Sequence, residues 1–103
     1  MTTTTHTHTH THTATRIARI WARCSDMPAP PVVGGRIEIE AERLLRDPDG
    51  NPVGSAGGTI VRGTIVRVGA HWSDALHSQS GYHVLVEARV PAGVEYDGET
   101  ARD

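Results

Sequence analysis

Histidine is the side chain with most to offer chemistry here, with seven copies in a chain of 103 residues. Four of them, His6, His8, His10 and His12, alternate with threonine between Thr5 and Thr13. Alternation places all four on one side of an extended backbone. Neutral imidazole binds Zn²⁺, Ni²⁺ and Cu²⁺, so these four are the candidate metal ligands. They fix no closed shell of the kind a structural zinc site needs. His71, His77 and His83 recur at a spacing of six. They would share an ion only if the segment with His71 and His77 folded back over the one with His83. Neither group has the helix-borne His-Glu-x-x-His spacing.

Nucleophile and base can be assembled as Ser73, Asp74 and His77, or as Ser78, Ser80 and His83, but no Gly-x-Ser-x-Gly elbow carries either serine. A domain this small has little room for a pocket that excludes water. The expectation is therefore a non-enzymatic protein with no cofactor and no small-molecule substrate. The glycine pairs at 34–35 and 57–58 lack the spacing of phosphate-binding loops. Cys24 is the single cysteine, which excludes an internal disulfide and a cysteine-based metal cage.

The charged set is ten basic against twelve acidic residues, a formal −2, and every basic residue is arginine. This gives no general attraction to nucleic acid. Single-stranded nucleic-acid binding stays as one alternative function, if Arg62, Arg67 and Arg89 share one OB-like face with Tyr82, and metal binding by the Thr/His arm is the other. No apolar run approaches the ~18–20 residues of a spanning helix. None of the ~7–15 residues of a secretory signal is present either, which leaves the cytoplasm as the expected location.

Three kinds of segment precede the body. Residues 2–13 hold only Thr and His, with no apolar side chain to offset the entropy of ordering, so a disordered arm is expected. In residues 15–25, Ile17, Ile20, Trp21 and Cys24 recur at i, i+3, i+4 and i+7, which predicts a short amphipathic helix with arginines beside it. Ile17, Ile20 and Trp21 are the candidate partner-binding residues, docking into a protein partner or another subunit. The same face would suit an anionic membrane surface. Residues 28–35, with three prolines and two glycines, read as a linker. The expected division is therefore a flexible arm over 1–35 and a β domain over 36–103. The arm carries +2, and the body, with seven Arg against eleven acids, carries −4. Met27 is an alternative start.

The body reads as strands. Ile37, Ile39 and Ala41 alternate with Glu38, Glu40 and Glu42, the period of a strand with one wet face. The same stretch offers Ile37, Ala41, Leu44 and Leu45 to a helix, and the clean alternation of β-branched Ile before a strong turn favours the strand. A dense turn follows at Asp47–Pro52. Gly58-Thr-Ile-Val-Arg62 repeats at once as Gly63-Thr-Ile-Val-Arg67. An odd period puts the two copies on opposite faces, with Gly63 suited to a bulge or bend. Ala70–Gly81 is polar and reads as a loop. Tyr82–Arg89 alternates again, with Leu85 suggesting burial on both faces, and Asp97-Gly98 is a turn dipeptide. The sum is a mainly all-β fold of four or five strands, a small SH3-like or OB-like barrel or a curled sheet. Under 70 residues of body make a marginal core. The expected function is a structural or protein-interaction module, self-associating or bound to a protein partner. Arm-bearing small barrels in virions are the analogy.

Overall fold

The structure, a computed structural model, describes residues 14–100. It is all-β. The strands are β1 (Thr15–Ser25), β2 (Arg36–Arg46), β3 (Pro52–Asp74), β4 (Gln79–Pro91) and β5 (Glu99–Thr100). They form one antiparallel sheet in the order β2-β3-β4-β1-β5. The sheet curls around its apolar face without closing into a full barrel.

Period-two patterning builds the core. Ile39 and Ala41 of β2, Val61 and Ile65 of β3, and Val84, Val86, Ala88 and Val90 of β4 all turn inward. Glu38, Glu40 and Glu42 point to water. The turn after β2 is held by the Asp47 carboxylate, which accepts from the backbone N–H groups of Asp49 and Asn51, both at 2.9 Å. The tandem repeat behaves as its odd period requires: Ile60 is 60% exposed and Ile65 only 4%.

Gly63 is not a bulge. It pairs in register with Ile37, and the irregularities of β3 lie elsewhere: opposite Glu42–Arg43 and Leu45–Arg46 of β2, and toward β4 between Ile65 and Arg67 and between Val68 and His71. The glycine answers a steric demand instead. A Cβ there would overlap the Glu87 carbonyl oxygen and approach Val86 Cγ1 to 2.7 Å.

The helix expected over 15–25 does not form. These residues are β1, paired in unbroken register with β4 from Thr15–Pro91 to Ser25–Gly81. Ala18, Ile20, Ala22 and Cys24 face the core, and Ile17, Arg19, Trp21 and Arg23 face the other way. An isolated helix of this length is marginal. The ladder with β4 satisfies the same backbone groups and buries Ile20 to 1% exposure. Ile17, Ile20 and Trp21 therefore do not share a face, and the surface on which partner docking or membrane binding by a helix rested is absent. β1, from the segment before residue 35, lies inside the sheet between β4 and β5, and a chain starting at Met27 would lack it. The linker is tied down by hydrogen bonds between Gly34–Gly35 and Ile65, at 2.8 and 2.9 Å.

Ala70–Gly81, expected as a loop, completes the β3–β4 hairpin, with only residues 75–78 in the turn. The hairpin runs past the core, so polar side chains line a stretch whose backbone ladder continues. The Thr/His arm, with His6, His8, His10 and His12, lies outside the described residues. Among the described residues no helix is long and apolar enough to cross a membrane.

Candidate functional site

Curling brings β2, one edge of the sheet, toward β1, which only the two-residue β5 covers on its far side, and residues 94–100 join them. Leu44 N–H donates to the Glu95 carbonyl at 2.9 Å, and Asp97 N–H donates to the Glu42 carbonyl at 2.8 Å. The chain then turns at Asp97-Gly98 and runs back along β1, where Trp21 N–H donates to the Gly98 carbonyl at 2.9 Å. Gly98 has φ +88, and a Cβ on it would come within 2.9 Å of the Trp21 carbonyl. Glycine meets both demands, the positive φ and the close approach.

Two arginines clamp this segment. Arg46 of β2 holds Glu95, with Nε 2.7 Å from Oε1. Arg16 of β1 pairs with the Glu99 carboxylate and donates to the Val94 carbonyl at 2.5 Å. The hydrogen bond from Arg16 outweighs partial burial and holds the Glu99 carboxyl below the ordinary carboxylate range. Arg46 does the same for the exposed Glu95.

Beyond the Asp97-Gly98 tip the join ends, and a cleft of about 700 Å³ opens between β1 and β2. Its walls include Ile20, Ala22 and Arg23 from β1 and Glu38, Ile39, Glu40 and Ala41 from β2, with Asp97 at the closed end. Alternation in an antiparallel ladder decides where the backbone groups of each wall point. Glu42 and Leu44 bond away from β3, so Arg36, Glu38 and Glu40 also present N–H and C=O away from β3. Among the described residues no strand lies beside them, and β3 is the ladder partner of this stretch of β2. By the same rule Trp21 bonds away from β4, so Arg23 presents its backbone to the cleft from the other side. The cleft is thus a seam between two unpaired strand edges.

Its charges are uneven. Glu38, Glu40, Glu42 and Asp97 face Arg23 alone among the lining residues. Arg23 is itself drawn away, its guanidinium 4.8 Å from the centre of the Trp72 ring. From β3, Arg62 pairs with Glu38 and Ser55 Oγ donates to Glu42 at 2.6 Å. Glu40 has no ion-pair partner among the described residues and lies against Gly58, where a Cβ would overlap its carboxylate.

The face opposite the core carries a second feature. The Trp21 ring lies over Gly69, close enough that a Cβ there would sit 3.1 Å from it. Cross-strand neighbours continue the row: Trp21 pairs with Leu85, which pairs with Arg67. Trp72, under Arg23, has a buried indole N–H without a hydrogen-bond partner among the described residues.

The candidate chemistry of the body histidines is dispersed. His71 Nε2 is 3.6 Å from Asp26 and its ring packs edge-on against Tyr82 at 5.0 Å. His77 Nδ1 is 2.7 Å from Asp74 in the hairpin turn, and His83 lies on β4 beside Arg23. Among the described residues no group of three or more His, Cys, Asp or Glu is placed to hold a metal ion. Ser80 donates to Asp26 at 2.9 Å rather than to His83. The Asp74–His77 pair is exposed and closes its turn, with the Asp74 carboxyl held low chiefly by the His77 hydrogen bond. Arg62, Arg67 and Arg89 are exposed, but Tyr82 pairs with the inward-facing Cys24, on the other face.

The seam escaped the sequence reading. Alternating glutamates mark a wet face in any strand, and only the tertiary curl shows that β2 is also an edge. Comparison of the chain with family models, curated proteins and solved structures returned no match.

Proposed function

We propose that this chain is a non-enzymatic protein-interaction module that receives an extended segment of another protein chain. The observation that supports the reading is the seam, in which the edges of β1 and β2 keep backbone groups unpaired among the described residues on either side of a cleft. A strand edge of this kind is a template for strand addition, with main-chain hydrogen bonds giving affinity and alternate side chains giving specificity. Proline at position 40 tests it. Glu40 N–H points away from β3, so Glu40→Pro removes an edge donor without breaking the β2–β3 ladder. A random peptide library panned against the full chain should enrich extended sequences, and Glu40→Pro should lose that enrichment while keeping its melt. No enrichment over Glu40→Pro would overturn the reading.

A second reading rests on the other face. Trp21, Trp72, Arg23 and Arg67 combine aromatic rings with guanidinium groups, as single-strand binders do. It requires tryptophan quenching by oligothymidylate at low salt that fades as salt rises. Absence of quenching at low salt would dismiss it.

A further inference from the structure

Resting on the interaction reading, we infer that the seam selects a segment in which apolar residues alternate with basic ones, added along the outer edge of β2. The edge offers Arg36, Glu38 and Glu40, over which a strand covers about 17 Å. Side chains of an added strand fall alternately on its two faces. One set faces the curled interior beside Ile39, Ala41, Ile20 and Ala22, where apolar residues continue the core. The other set lies beside the outward side chains of Arg36, Glu38 and Glu40, in which the two carboxylates outnumber the arginine at one end. Glu40 has no counter-ion there, Glu38 is shared with the exposed Arg62, and Asp97 closes the end. Directly opposed unlike charges stabilise a strand pair and like charges destabilise it. A basic residue opposite Glu40 is therefore favoured and an acidic one rejected.

The same rule argues against a second copy of β2 as the occupant. Two β2 edges paired antiparallel through their outward backbone groups would set glutamate opposite glutamate at the centre, Glu38 against Glu38 or against Glu40, with Arg36 offsetting only the ends. The row of carboxylates acts as a guard against self-pairing and as an attraction for a basic partner.

Labelled nonapeptides alternating valine with arginine, threonine or glutamate provide the test, read by fluorescence anisotropy against the full chain. The Val/Arg peptide should bind roughly tenfold more tightly than Val/Glu, with Val/Thr between. Its advantage should shrink at high salt and in a Glu38→Gln, Glu40→Gln double variant. Binding should vanish for Glu40→Pro. Should that variant fail to fold, a Val/Arg peptide N-methylated at alternate amides replaces it, and one of the two methylation registers should abolish binding. Equal binding of the Val/Arg and Val/Thr peptides, still lost with Glu40→Pro, would overturn the charge preference and leave the interaction reading standing. No binding by any peptide would overturn both. Binding that survives both Glu40→Pro and N-methylation in either register would show that the β2 edge is not the site.

Discussion

Replacing Ile20 by alanine separates a strand at 15–25 from a surface helix. Ile20 is 1% exposed, on the core face of β1 and opposite Val86 of β4. Truncating a buried Ile to Ala costs about 2–5 kcal/mol, rising with the cavity left behind. Its ladder neighbours, Val86 on β4 and Glu99 on the two-residue β5, belong to strands fixed by hydrogen bonds and cannot easily collapse into the space. A loss of about 3 kcal/mol is therefore expected. At ~4–8 °C per kcal/mol for a domain of this size, Tm should fall by roughly 12–24 °C. Ile17, on the opposite face and only half-buried, should cost about 1 kcal/mol when truncated. Urea titration followed by tryptophan fluorescence measures both variants. A helix with Ile17, Ile20 and Trp21 on one stripe would make the two costs similar. Equal losses, or an Ile20→Ala loss under about 1 kcal/mol, would refute the placement of β1.

Other perturbations test other joints. A chain beginning at Met27 lacks β1, leaves β4 with an open edge, and should show neither a cooperative melt nor a folded amide spectrum; a wild-type melt would contradict the sheet order. Gly63→Ala forces a Cβ into the Glu87 carbonyl and Val86, and should cost at least about 2 kcal/mol in urea titration; a neutral effect would show that β3 and β4 do not approach so closely. The Glu99 carboxyl is held low by Arg16, so its stabilising contribution is complete above the ordinary glutamate range and is lost as pH falls through the lowered folded value. Glu99→Gln should cost about 1 kcal/mol at neutral pH, discounted for partial exposure. It should also flatten the loss of stability below pH ~4.3 expected of the wild type. An identical acid limb in both proteins would remove the Arg16–Glu99 clamp from the account.

Much of the fold was legible residue by residue. The Val-rich alternation of β4 and the Asp47–Pro52 turn each have one strong local solution, and β2 forms the strand that its Ile/Glu alternation favours over the helical stripe of Ile37, Ala41, Leu44 and Leu45. The tandem repeat was legible through parity alone. β1 was not, because Ile17, Ile20 and Trp21 fit a helical stripe. The strand pattern of Ala18, Ile20, Ala22 and Cys24 against Arg19, Trp21 and Arg23 is muted by two small alanines within and a tryptophan without. Trp21 belongs on the outer face because Gly69 makes room for its ring, a fact about a residue 48 positions away in the chain. The end of β3 was hidden because a hairpin projecting beyond the core loses its apolar alternation and keeps only its hydrogen bonds. The seam depends on which strands end up at the edges, which no local pattern encodes.

Amide hydrogen exchange, measured residue by residue with and without the Val/Arg peptide, tests the central claim most directly. Strand addition to β2 predicts new protection at Arg36, Glu38 and Glu40, whose N–H groups face the seam. Ile37, Ile39 and Ala41, already bonded to β3, should change little. That alternating pattern is the signature of an added strand. Protection that is absent, or spread evenly over β2, or confined to the Trp21–Trp72 face, would contradict the account.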